Sequence, residues 1–119
     1  MSFRRLTVAL AVVAAVVGTG ASSVFGAQGQ THRTVIKVTA SEFKFVLSAK
    51  SAKAGPVTFV VTNKGALQHD FKIGTKKTPL LSKGKSSTIT VTVKKGKNVY
   101  MCTVAGHAAA GMKGTFTGR

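Results

Sequence analysis

The sequence predicts an all-β fold: a Greek-key β-sandwich of seven to eight strands, preceded by an N-terminal signal segment. Three observations carry this. Apolar and polar residues alternate with period two over residues 35–40, 43–47 and 88–93, and residues 57–61 are dense in Val, Thr and Phe. Strands with one buried face look like this. Gly-, Pro-, Asn- and Lys-containing turns separate the runs at short spacing, as in antiparallel sandwiches. After residue 33 no stretch of useful length repeats its apolar residues at helical spacing, so a βαβ fold has no room for its crossovers.

Residues 1–27 read as an export signal. Arg4 and Arg5 precede an apolar run over residues 6–17, and small residues follow. That run is shorter than the about 20 apolar residues a membrane span needs. Thr19-Gly20-Ala21 fits a small-x-small cleavage site and Ala27 is a later one, which brackets the cut between residues 21 and 27. No cysteine sits at the end of the run, which argues against a lipid anchor. No charge lies between Arg5 and Arg33, so an uncleaved N-terminal anchor is the competing reading. Residues 28–33 then form a linker and residues 34–119 a single domain, large enough to fold without a disulfide framework.

Within that domain, residues 35–40 put Ile36, Val38 and Ala40 on one face. Phe43, Phe45 and Leu47 repeat with the same period, offering two large aromatics to the core. Residues 48–54 are a Ser/Ala/Lys connection, and Gly55-Pro56 turns the chain into the strand at 57–61, which Asn63-Lys64-Gly65 ends. Leu67, His69, Phe71 and Ile73 share one parity, with Gln68, Asp70 and Lys72 on the other, so His69 points with the apolar residues. Residues 74–85 are a basic connection, with Thr78-Pro79 as a breaker and Leu80-Leu81 as a packing plug. Residues 88–93 send Ile89, Val91 and Val93 inward and three threonines outward. Lys94-Lys95-Gly96-Lys97-Asn98 is a charged turn, residues 99–102 form the next strand, and residues 113–117 the last.

Eighteen Lys and Arg face two acidic residues, Glu42 and Asp70, a net charge of +16 that falls by two to +14 once Arg4 and Arg5 leave. Such a charge steers the chain toward an acidic partner or an anionic membrane surface. It would also suit nucleic acid, but no recognised motif for it is present and export removes the chain from most of it.

The chemistry gathers in residues 100–114. Cys102 is the single cysteine, and His107 and Met112 follow it at Cys-x4-His-x4-Met spacing. One Cys cannot close an internal disulfide, so in an exported chain its thiol is a liability unless something occupies it. Singly, a Cys is a small core hydrophobe and a Met a core filler. A His on an apolar face is by itself a hydrogen-bonded core residue. Together on one loop, a thiolate, an imidazole and a thioether form a donor set suited to copper and poorly suited to Mg or Ca. Zinc accepts a Cys-His-His set but finds a thioether a poor ligand. Two His, one Cys and a long axial Met make the blue-copper arrangement, so a second histidine must come from elsewhere. His32 lies in the linker beside Arg33 as a solvated tail residue, which leaves His69. Met1 is in the signal and Met101 has the opposite parity to Cys102. Gly106 and Gly111 flank the histidine segment and let the loop turn tightly.

These segments resemble the cupredoxins, the small blue-copper proteins of the plastocyanin and azurin type, over residues 34–119. The ligand spacing is most similar to that of rusticyanin and sulfocyanin, and residues 63–71 resemble the segment that carries the family's first histidine ligand. The resemblance implies one copper ion cycling between Cu(I) and Cu(II), with His69, Cys102, His107 and Met112 as its ligands. It also implies that Asp70 ties the cysteine loop down by accepting a hydrogen bond from an amide near Thr103 or Val104. The short chain, the scarcity of acidic residues and the lack of a long N-terminal extension depart from rusticyanin.

The expected role is therefore that of an exported monomer in the periplasm, cell envelope or extracellular space, carrying single electrons to a redox partner protein. Copper delivery or buffering in the envelope is the alternative. Copper oxidases and nitrite reductases need further histidine-rich centres, for which only His32 is left, so the chain is not expected to be an enzyme. A metal-free structural sandwich would have no need of the full ligand set. Residues 103–111 are uncharged, a patch ringed by lysines that suits transient docking.

Overall fold

The computed structural model describes residues 33–119; the signal segment, its cleavage region and His32 lie outside them. The described chain forms β1 (Thr34–Ser41), β2 (Lys44–Leu47), β3 (Ser51–Ala52), β4 (Gly55–Asn63), β5 (Lys72–Ile73), β6 (Lys76–Lys77), β7 (Ser86–Val93), β8 (Gly96–Met101) and β9 (Lys113–Gly118). One sheet runs β2-β1-β4-β7 and the other β3-β9-β8-β5-β6. The strands outnumber the expected seven to eight because β3, β5 and β6 are two-residue pieces that periodicity cannot register.

Both sheets are mixed, where the turn spacing suggested antiparallel pairing throughout. β1 runs parallel to β4 and β3 parallel to β9, while the remaining pairs are antiparallel. Connectivity is the reason. The chain leaves the first sheet after β2, adds β3 to the second, and returns as β4 beside β1 in the same direction.

Alternation holds well on the long strands. Ile36, Val38 and Ala40 of β1, Val57, Phe59 and Val61 of β4, and Val91 and Val93 of β7 are buried, while Ile89 is half-buried. Phe59 joins the two layers, meeting Phe116 of β9 edge-on at 5.3 Å and Phe71 at 5.5 Å. Phe45 of β2 stands edge-on to Phe71 at 5.2 Å and to Tyr100 of β8 at 5.9 Å. Truncating one such ring to alanine costs about 3–5 kcal/mol. On the outer face of the first sheet, hydroxyls pair across strands, Thr58 with Thr90 and Thr62 with Ser86. The charged turn between β7 and β8 closes on Asn98, whose Oδ1 accepts from the Lys94 amide and whose Nδ2 donates to the Lys94 carbonyl.

Two apolar residues depart from the period-two reading, and one from the expected packing plug. Phe43 is exposed because it sits in the β1–β2 turn, at the rim of the sandwich beyond the two packed faces. Leu67 is exposed because it precedes the point where the chain rejoins the sheets. Of the Leu80-Leu81 pair only Leu81 is buried.

Candidate metal centre

His69 owes its position to the connection between β6 and β7, which does more than link strands. Leu81 pairs with it as an isolated bridge: the His69 amide donates to the Leu81 carbonyl at 3.1 Å, and the Leu81 amide returns a bond at 2.8 Å. Fully buried Asn63 staples the arrangement. Its Nδ2 donates to the Leu67 and Leu81 carbonyls at 2.8 and 2.7 Å, and its Oδ1 accepts from the Gly65 amide at 2.8 Å. Thr78 adds a second pin, its Oγ1 accepting from the Phe71 amide at 3.0 Å.

The other donors come from the loop between β8 and β9. Alternation along β8 buries Tyr100 and carries Cys102 to the same face, while Met112 is buried in step with Phe116 of β9. The loop is closed by its own backbone: the Cys102 amide donates to the Met112 carbonyl at 3.0 Å, and the Met112 amide to the His107 carbonyl at 3.1 Å. Gly106 and Gly111 take φ of 80° and 129°, conformations L side chains rarely adopt.

These pieces converge. The His69 and His107 Nδ1 atoms lie 3.1 Å apart, and the Cys102 Sγ lies 3.7 Å from the His107 Nδ1. The three donor atoms all fall within 4.8 Å of one another, and among the described residues no other group of three His, Cys, Asp or Glu side chains is so placed. His69 is fully buried and Cys102 is 1% exposed, while His107 is half-buried. Met112 packs with Cys102 and Ala40 in a small buried cluster, with Phe45 and Val104 against it. Burial pushes the Cys102 thiol above its ordinary range, and a bound cation would reverse that preference. One sulfur and two imidazole nitrogens, with a thioether packed alongside, fit a copper ion.

Both acidic residues of the chain lie at this end. Asp70 is 4% exposed, although alternation put it on the outward face. Apart from the bridge at His69, residues 67–71 are not in a strand, so period two does not govern them. The Asp70 Oδ1 accepts from the Thr103 amide at 2.6 Å, and its Oδ2 accepts from the Thr103 hydroxyl. Glu42, in the β1–β2 turn, was not singled out by the sequence. Its Oε1 accepts from the Leu67 amide at 2.7 Å and lies 3.2 Å from the His69 Nε2. The Leu67 bond holds the Glu42 carboxyl down at about 2, so it is anionic at neutral pH. With only two carboxylates in the chain, either one was a candidate for a special role.

Residues 30–117 match the copper-binding proteins of the plastocyanin/azurin family. The chain belongs to this family. As a cupredoxin it has a single copper site, and His69, Cys102 and His107 are the group whose donor atoms lie close enough together to hold one ion. Solved structures with the same fold include a dithionite-reduced auracyanin from the photosynthetic bacterium Roseiflexus castenholzii, 24% identical with a TM-score of 0.62, covering 72% of this chain and 97% of that one. Auracyanin B is 21% identical with a TM-score of 0.62, covering 72% and 88%. An azurin from the methylotroph Methylomonas sp. strain J is 16% identical with a TM-score of 0.58, covering 72% and 98%. No curated protein matches the chain. The cupredoxin family and the His-Cys-His cluster mark a blue-copper electron carrier.

Proposed function

We propose that this cupredoxin is exported and carries single electrons between partner proteins of the cell envelope, with no substrate chemistry of its own. In this reading residues 1–27 direct export, residues 28–33 are a linker, and residues 34–119 hold the copper. His69, Cys102 and His107 are the strong ligands and Met112 the weak axial one, an arrangement that serves both Cu(I) and Cu(II). The observation that carries the reading is the convergence of three donor atoms within 4.8 Å from two segments that are far apart in sequence. The buried backbone bonds around them favour a site that changes little between oxidation states, which keeps electron transfer fast. The high positive charge favours an acidic redox partner or an anionic envelope surface, met by the chain as a monomer.

The test is a visible spectrum of the purified protein after Cu(II) is added. An intense thiolate-to-copper band that is lost in Cys102→Ser supports the site, and its absence from the native sequence overturns it. Rapid loss of copper to a chelator in stopped flow would instead favour delivery or buffering over electron carriage.

A further inference from the structure

The turn between β1 and β2 touches the copper centre at two places. Phe43 meets the His107 ring edge-on at 5.1 Å and 74°. Its carbonyl oxygen would lie 2.8 Å from a Cβ on Gly111, so the turn sits directly on the ligand loop. Beside Phe43, the Glu42 carboxylate reaches the far side of His69, with Oε1 3.2 Å from Nε2. Gly65 leaves the space for it, since a Cβ there would meet Oε1 at 2.5 Å. His69 itself is fully buried, so no water shell competes for its Nε2.

We propose that Glu42 is a positioning residue of the copper centre: its carboxylate accepts the Nε2 hydrogen of His69, presents the Nδ1 lone pair to the metal, and biases the ion toward Cu(II). A metal-ligating histidine is oriented and made more basic by a carboxylate on its other nitrogen. The geometry assigns the nitrogens without ambiguity, because Nδ1 is the atom that faces His107 while Nε2 faces Glu42. A negative charge one imidazole away from the metal stabilises the more positive oxidation state. The inference rests on ligation by His69, Cys102 and His107 as proposed above. A narrower role would be to fix the turn at residues 65–67 through the Leu67 amide alone, and the test separates the two.

Glu42→Gln keeps an acceptor for both the Leu67 amide and the His69 ring but removes the charge. Glu42→Ala removes both. In the copper-loaded protein, voltammetry of Glu42→Gln should give a reduction potential above that of the native chain. In the Cu(I) form, NMR should show the His69 Nε2 hydrogen protected in the native protein and in Glu42→Gln. In Glu42→Ala it should exchange with solvent about tenfold faster or more, as expected on losing a bond to a charged acceptor. Gly65→Ala, which crowds the carboxylate without deleting it, should speed that exchange too. An unchanged potential in Glu42→Gln, or equal protection in Glu42→Ala, overturns the assignment and leaves Glu42 a turn residue. A native protein without the thiolate-to-copper band overturns the ligation reading instead, so the two failures are distinguishable.

Discussion

Thr103 gives both of its donors to one carboxylate: its amide lies 2.6 Å from the Asp70 Oδ1, and its hydroxyl bonds to Oδ2. The residue after His69 thereby holds the residue after Cys102, and the two segments that supply the donors are tied together directly behind the cluster. A rigid link of this kind lowers the rearrangement between oxidation states, and its charge acts on the ion as well.

Asp70→Asn preserves that link, because the amide can still accept from the Thr103 backbone and donate to its hydroxyl. Only the charge is removed. The reduction potential is expected to rise by roughly 50–100 mV, the size of a charge interaction over roughly 7–14 Å at an effective dielectric of about 20. Voltammetry of the purified variant checks this, and an unchanged or lower value contradicts it.

Asn63→Ala leaves the Leu67 carbonyl and the Gly65 amide without their side-chain partner, and the Leu81 carbonyl with the His69 amide alone. The expected loss is about 2–4 kcal/mol of folding stability, read from the urea midpoint. Copper should also leave the variant faster, since the backbone of His69 is held from Leu81.

Gly114→Ala tests packing close to the site without touching a donor. A Cβ at this position would collide with the Tyr100 hydroxyl and ring. That ring cannot swing aside, being stacked on Phe71 at 5.4 Å and met edge-on by Phe45. Overpacking here should cost about 1–3 kcal/mol and lower the thermal midpoint. A variant as stable as the native chain would show that Tyr100 has room to move.

The charge of the chain predicts how its electron exchange responds to salt. Oxidation of the reduced protein by ferricyanide, an anion, should slow as ionic strength rises from about 0.01 M to 0.15 M. A cationic cobalt complex should show the reverse trend in the same stopped-flow experiment. Equal and flat profiles would mean that the lysines do not steer small partners to the copper end.

The amino-acid sequence by itself determined the sandwich and the chemistry of the donors. Period-two alternation is a local property, so Ile36, Val38, Val91 and Val93 could be assigned to the core from their neighbours alone. The Cys-x4-His-x4-Met spacing is equally local, because one short loop between β8 and β9 carries all three residues. Tertiary structure decided the parallel pairing of β1 with β4, which depends on where the chain crosses between sheets. It decided that Phe43 leaves the core for the rim and that Asp70 turns inward, since alternation loses its force where the backbone leaves the ladder. It also brought Glu42 to His69, 27 positions away in sequence. No periodicity links those two residues; only the folding of one turn over another puts a carboxylate on that nitrogen.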